Sequence, residues 1–306
     1  MATSSTTLPA ERAYVPYQRP PRISTKNLII YVVLTFWILP TIFAFVWVFA
    51  VSLKTNREFM GVPPWTLPQI AQWSNYVTAW NQGVGTMFQN SLLIATLSTI
   101  ASVAIATLAA YPIARIPFRF SQALLSYFLI GIMIPYMLTA IPVYFGVEAF
   151  RQWLLKLPIV MQLDSRFVLI VLYTVAQLPF NTFVMTGFFR GLPTELEEAA
   201  AVDGASPFRA FWQIMLPLAT PGISSLTILG FLYGWNEFFY ALILVKDQAQ
   251  RTVPLGLFYM DQQAQYTASW VGLFAGMLIA AVPVLIVFAL LQDQVARGLT
   301  VGAIKG

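Results

Sequence analysis

Residues 90–114 read NSLLIATLSTIASVAIATLAAYPIA, a run with no Asp, Glu, Lys or Arg. A helix needs about 20 predominantly apolar residues to cross a ~30 Å hydrocarbon core, and this run exceeds that. Its apolar residues are continuous, whereas a transmembrane β-strand would alternate over about ten positions. The segment therefore reads as a membrane-spanning helix, with every backbone polar group satisfied internally. Residues 95–110 are mostly Ala, Ser and Thr, side chains small enough to let helices approach closely in lipid. The same helix is thus expected inside a bundle.

Uncharged apolar runs also cover 27–53, 120–147, 167–189 and 270–292, and a sixth, 221–245, is interrupted only by Glu237. The fold class is all-α, a polytopic membrane protein with six transmembrane helices. Composition agrees: 58% of the 306 residues are hydrophobic, above the roughly 45–50% of soluble domains. Prolines at 40, 112, 135, 142, 179 and 283 are expected to bend helices where neighbours satisfy the freed carbonyls.

Residues 1–27 form a Ser-, Thr- and Pro-rich tail with four basic residues against one Glu. The apolar run behind them is about twice the length of a signal-peptide core and has no small-residue cleavage site, so it reads as an anchor with its basic flank in the cytoplasm. Six spans over 28–292 then place both termini inside, with 293–306 as a cytoplasmic C-terminal tail. On that topology ten of the seventeen Lys and Arg residues lie inside and seven outside, the bias expected of a cytoplasmic-membrane protein. Outside, the Pro- and Trp-rich stretch 54–89 and the segment EAFRQWLLKLP, 148–158, read either as a docking rim or as ordinary connectors with interfacial aromatics, with Trp153 at headgroup level.

The net charge of +5 is spread over loops and tail rather than gathered into a stripe, so nucleic acid is not an expected partner. Cysteine and histidine are both absent, which excludes disulfides, thiolate nucleophiles and imidazole metal sites. No metal site is expected.

One loop gathers the acids. Residues 193–217, PTELEEAAAVDGASPFRAFWQIMLP, place Glu195, Glu197, Glu198 and Asp203 within nine positions, between spans four and five on the cytoplasmic side. Thr194 with Glu197 reads as a capping box, and the first-turn acids suit the helix dipole. The helix is expected to stop at Asp203-Gly204, where glycine takes a left-handed cap. Ser206-Pro207 then starts a second helix, Ser as N-cap and Pro at the first helical position, which runs to Leu216-Pro217.

Glu198-Ala199-Ala200, three residues, Gly204, nine residues, and Ile214-Met215-Leu216-Pro217 resemble the EAA loop of permease subunits in binding-protein-dependent ABC importers. GWNEFFYAL at 234–242 and GLTVGAIKG at 298–306 resemble the carbohydrate-importer, maltose-permease (MalG) type. The resemblance covers spans two to six and the tail. It implies a multi-pass subunit of the cytoplasmic (inner) membrane, paired with a second homologous permease, driven by two ATPase subunits and supplied by an extracytoplasmic solute-binding protein. The solute implied is a sugar or related carbohydrate. ATP and Mg are expected on the partner ATPase and no cofactor on this chain, which has no G-x-x-x-x-G-K-[ST] phosphate loop.

The resemblance assigns ATPase coupling to the loop at about 190–220: Glu198, Ala199, Ala200, Asp203, Gly204, Ile214, Leu216 and Pro217, with Glu198 pairing a basic group on the ATPase. It implies a further ATPase contact by Gly298, Leu299, Thr300, Gly302, Lys305 and Gly306. Trp235, Asn236 and Glu237 are the candidates for the translocation pathway. Glu237 is the one ionisable group within a span, and such groups face the bundle interior or a water-filled path; solute contact and a structural or gating role both stay open for it. Two other classes compete. A self-sufficient secondary transporter or channel would need intramembrane coupling charges beyond Glu237, and an intramembrane enzyme would need paired carboxylates or a nucleophile with a base inside a span. Neither constellation is present in the sequence.

Overall fold

The computed structural model describes residues 25–156 and 163–303; residues 1–24 of the N-terminal tail, 157–158 of the rim segment, and Lys305 and Gly306 lie outside them. The described elements are all helical. The chain divides into two units, one ending at Trp47 and one beginning at Val48. Most of α1 (Thr25–Ser52) makes up the described part of the first. Its side chains from 28 to 45 are exposed and almost all apolar, as suits a helix solvated by acyl chains.

The second unit is built around α2 (Gly85–Arg115), which packs against α5 (Ser165–Gly191) and α8 (Thr220–Asn236). The buried face of α2 repeats every three or four residues: Ile94, Ala95, Ser98, Thr99, Ser102, Val103, Ala106 and Ala110. This is the helical period, and the small side chains bring α5 within reach of polar contacts. Asn181 Nδ2 donates to Ser102 Oγ at 2.9 Å, and Thr174 donates to the Ser98 carbonyl at 3.4 Å. The expectation that span two lies inside the bundle therefore holds. Helix α8 crosses it through Gly230 and Gly234, where an added Cβ would stand 2.5 Å from Gln177 Oε1 and 3.0 Å from the Ala95 Cα. Glycines four apart on one face permit that approach.

Four helices are long and apolar enough to span a membrane, and up to six spans result if two bent pairs each count as one. Two of the expected spans are interrupted within their apolar runs. The third is broken: α3 (Ser121–Met133) and α4 (Ala140–Leu154) are separated by a short turn, Tyr136–Thr139, and the halves are bent by 89°. Pro135 has no N–H to donate and pushes Ile134 into extended backbone (φ −80°, ψ 115°), which ends the helix there. The rim segment at 148–154 is the end of α4, with Trp153 exposed.

The fifth expected span, 221–245, also stops short. Helix α8 ends at Asn236, Glu237 is extended (φ −65°, ψ 128°), and α9 (Phe239–Leu244) follows. Glu237 is 6% exposed, and its carboxylate accepts the N–H of Tyr240 at 2.8 Å and of Ala241 at 3.4 Å, together with the Tyr173 hydroxyl. A side chain thus satisfies the donors that the break leaves free, as membrane depth requires. Glu237→Gln keeps one acceptor oxygen for the Tyr240 N–H, and its amide NH2 can donate to the Tyr173 hydroxyl oxygen, so it is expected to assemble normally. Glu237→Ala leaves a hydroxyl and two N–H groups unsatisfied at roughly 1–3 kcal/mol each, and should show a clear loss of folded protein in detergent on gel filtration after mild heating. Equal survival of Glu237→Ala would contradict the capping role.

The chain closes with α10 (Val253–Thr267) and α11 (Trp270–Ala303). Helix α11 continues through most of the stretch expected as the C-terminal tail.

Candidate functional site

Helix α6 (Glu195–Val202) follows Leu192-Pro193, where the residue before proline is extended (ψ 146°) and the preceding helix must end. Its first turn holds Glu195, Glu197 and Glu198, where partial positive charge favours acids. The capping box is corrected: Thr194 has helical backbone (φ −71°, ψ −27°) and its hydroxyl accepts no cap bond. Glu197, the other half of that box, is engaged elsewhere.

The turn after α6 has the expected form. Gly204 has φ +78°, Ala205 donates its N–H to the Ala200 carbonyl at 2.9 Å, and Gly204 donates to Ala201 at 3.0 Å. Those two bonds are the Schellman pattern. A Cβ on Gly204 would meet nothing within 4 Å, so the backbone angle and not crowding calls for glycine. Ser206 accepts the Arg209 N–H at 3.3 Å, and Pro207 opens α7 (Pro207–Ala210). The helix continues through a π turn, Phe211–Met215, and Leu216–Leu218, then bends by 67° into α8.

One face of this helix pair is anchored to the bundle. Glu197 Oε1 accepts the Tyr111 hydroxyl at 2.8 Å, and Glu197 Oε2 lies 3.2 Å from Arg115 Nε. Arg115 also donates to the Leu192 carbonyl, so the last turn of α2 holds both the start of α6 and the chain leading into it. Phe211 sits with its ring centroid 4.8 Å from Tyr111 and 6.4 Å from Phe189. Around it, Met185, Met215, Ala219 and Leu226 form a closed apolar cluster. The loop is thereby tied to the ends of α2 and α5 and to the start of α8.

The other face is open. Glu198, Ala199, Asp203 and Gly204 are exposed, and Val202 and Phe208 are 88% and 74% exposed. Apolar groups this bare, on a loop outside the spans and beside a Glu198 that pairs with none of the described residues, form a surface suited to another protein. Of the remaining predicted coupling residues, Ala200 is buried, Ile214 and Leu216 are half-buried, and Pro217 is exposed. Tyr111 and Arg115 are residues of this anchor that the sequence reading did not single out, and it gave Glu197 only a capping role. The spacing of Tyr111 and Arg115, four apart on one helix face, was a visible signal; their partner, 82 residues beyond Arg115, was not.

Trp235, Asn236 and Glu237 do not form one polar surface. Trp235 is 2% exposed, packs against Phe88 and Phe231 at 5.4 Å and 5.7 Å between centroids, and donates to the Ala280 carbonyl at 3.3 Å. Asn236 is exposed and its amide donates to the Leu232 carbonyl of its own helix at 2.8 Å. Glu237 is the buried cap already described. The Trp235 indole is thus covered by protein. Gly298, Leu299, Thr300 and Gly302 lie on the last turns of α11.

On the opposite side of the bundle by the expected topology, Glu148 holds Arg151 at 2.9 Å and Lys246 at 3.1 Å. Asp164 holds Arg166 at 2.6 Å, which keeps the Asp164 carboxyl below its ordinary range, chiefly through the hydrogen bond from Arg166. Among the described residues, no three acidic side chains gather into a metal-binding group.

A family model described as "Binding-protein-dependent transport system inner membrane component" matches residues 102–301. A putative ABC transporter permease protein, ORF2, of Caldicellulosiruptor sp. is 32% identical over 90% of this chain and 96% of its own. The diacetylchitobiose uptake system permease protein NgcG of Streptomyces coelicolor is 31% identical over 89% and 87%. The trehalose/maltose transport system permease protein MalG of Thermococcus litoralis is 31% identical over 87% and 92%. Among solved structures, a bacterial ABC transporter involved in the import of the acidic polysaccharide alginate superposes with a TM-score of 0.74 at 20% identity, over 90% of this chain and 99% of that one. At that identity the likeness speaks for the fold.

Proposed function

Because this chain belongs to the family of inner membrane components of binding-protein-dependent transport systems, we propose that it is the permease subunit through which ATP hydrolysis on separate subunits moves a carbohydrate across the cytoplasmic membrane. Relatives named for diacetylchitobiose and trehalose/maltose uptake support the solute class. The observation that carries the coupling role is the two-sided loop: Glu197 and Phe211 fix it to the bundle, while Glu198, Val202 and Phe208 stand open to a partner.

The mechanism follows from that arrangement. An ATPase subunit that grips the open face pulls on a helix pair whose inner face is tied to α2, α5 and α8. Closure of the ATPase then moves those helices as one body, because ion pair, hydrogen bond and apolar cluster all resist sliding. ATP and Mg are held by two ATPase subunits, since this chain carries no phosphate-binding loop. A second homologous permease completes the membrane path, and an extracytoplasmic binding protein supplies the solute. The final turns of α11, with Lys305 and Gly306, add a second contact with the ATPase. Lipid surrounds the spans; nucleic acid has no part.

Purification from membranes should bring down a nucleotide-binding subunit, and the complex should hydrolyse ATP faster when a binding protein loaded with sugar is added. A chain that transports alone, with no ATPase attached, would replace this reading with that of a secondary transporter.

Orientation is tested by the absence of native cysteine. Arg119, between the second and third spans, and Gln248, after the fifth, are both exposed. With both termini inside, Gln248→Cys reacts with a membrane-impermeant thiol reagent in intact spheroplasts, and Arg119→Cys reacts only after the cells are opened. Labelling of Arg119→Cys from outside would invert the topology.

A further inference from the structure

Two helix breaks meet at one place in the bundle. The turn Tyr136–Thr139 interrupts the third span, and Glu237 ends α8. Across the gap, the Tyr240 and Thr139 hydroxyls are 2.7 Å apart, and the rings of Tyr136 and Tyr240 lie 5.9 Å apart. Irregular backbone at membrane depth is tolerated where it is buried in protein or lines a water-filled cavity, and paired interruptions are how transporters build binding sites.

Here a cavity of about 520 Å³ opens beside the breaks, walled by the Pro135 turn, by α5 and by Tyr233 and Tyr240. A second, of about 300 Å³, continues from it and shares Ala176, Phe180 and Tyr233 with the first. Its wall includes Gln177, which is 6% exposed and whose Oε1 is buried without a hydrogen-bond partner among the described residues; Gly230 leaves the room that this oxygen occupies. An unpartnered buried acceptor calls for an explanation. The hydroxyls of Tyr136 and Tyr233 also make no hydrogen bond to the described residues.

The geometry points to this tyrosine-lined surface, Tyr136, Tyr233 and Tyr240 with Thr139 and Gln177, as the place where the translocated carbohydrate touches this chain. The inference rests on the carbohydrate reading above and moves the contact away from Trp235 and Asn236. Sugars present apolar C–H faces ringed by hydroxyls. Aromatic faces with polar edges match both parts of that chemistry, and a pocket of a few hundred Å³ with few convergent polar groups is the usual form of a small-molecule site. Acyl chains would fill the same space without using the hydroxyls or the Gln177 oxygen.

Single cysteines at Tyr136 and at Ala176 in the reconstituted full complex separate these occupants. A positively charged methanethiosulfonate reagent reacts in water and not in lipid. Both cysteines are expected to react within minutes, and modification should slow several-fold when binding protein loaded with maltose, trehalose or diacetylchitobiose is present with ATP, using whichever sugar stimulates hydrolysis. In parallel, Tyr233→Phe should raise the sugar concentration for half-maximal uptake more than it lowers the maximal rate. Cysteines that never react place the surface in lipid or in a sealed core and overturn the proposal, as does reaction that a stimulating sugar leaves unchanged. If neither these three nor any sugar of a wider panel stimulates hydrolysis, the carbohydrate reading itself fails, and the sugar contact with it. Reactivity without sugar then decides only whether the surface lies on the aqueous path.

Discussion

Gly204→Val is expected to abolish most sugar-stimulated ATP hydrolysis and uptake while leaving the subunit inserted and at normal level. The reason is angular. At φ +78° a β-branched residue is held in a region it rarely enters, at about 1–3 kcal/mol, equivalent to a roughly 5- to 150-fold loss in the population of the correct turn. Open space around the position means that no clash with the bundle accompanies the strain. The consequence is confined to the aim of α7 relative to α6, and so to the surface offered to the ATPase. Asparagine tolerates the left-handed region, and Gly204→Asn should retain most activity; alanine should fall between. Measurement of stimulated hydrolysis and uptake in proteoliposomes orders the three variants. Wild-type coupling in Gly204→Val would reduce the loop to a connector.

The second large effect is expected at Arg115. Its side chain is 9% exposed and holds both Glu197 and the Leu192 carbonyl, so Arg115→Ala leaves a half-buried carboxylate without its cation and a carbonyl without its donor. Such losses run to roughly 1–3 kcal/mol each. The tie between α6 and α2 weakens, yet the open face with Glu198 is untouched. Arg115→Ala should therefore keep the ATPase bound on purification but lose stimulated transport, hydrolysing ATP without moving sugar. Glu198→Ala is expected to do the reverse, weakening ATPase retention while α6 stays docked. The double exchange Arg115→Glu with Glu197→Arg restores the opposite charges and should recover part of the uptake. Full transport by Arg115→Ala would show that the Phe211 cluster alone carries the coupling.

Much of the coupling loop is legible in the amino-acid sequence, because its determinants are local. Glycine after Asp203, and Ser-Pro at the start of a helix, act through backbone angles and single hydrogen bonds within a few residues. The one local inference that failed, the Thr194–Glu197 capping box, failed because Tyr111 and Arg115 compete for the same carboxylate. A charge-assisted pair with a partly buried arginine is stronger than a reach back to an exposed N–H.

The spans divide along the same line. Hydropathy by itself determined that the chain is an all-helical membrane protein, where its apolar runs lie, and that the small-residue helix is central, since lipid admits no backbone that leaves its polar groups unpaired. The sequence marked Pro135 as a place where a helix bends, but not that the helix ends there, nor that the run around Glu237 is interrupted. A run stays apolar whether or not its helix continues, and the break at Glu237 is stable only because Tyr173, 64 residues away, and the N–H groups of α9 converge on one carboxylate. Which face of a helix lines a cavity is likewise decided by neighbours distant in sequence. Trp235, a pathway candidate in the sequence, is covered by Phe88, and the tyrosines that line the cavity beside the breaks carry no mark in sequence that sets them apart from other interfacial aromatics.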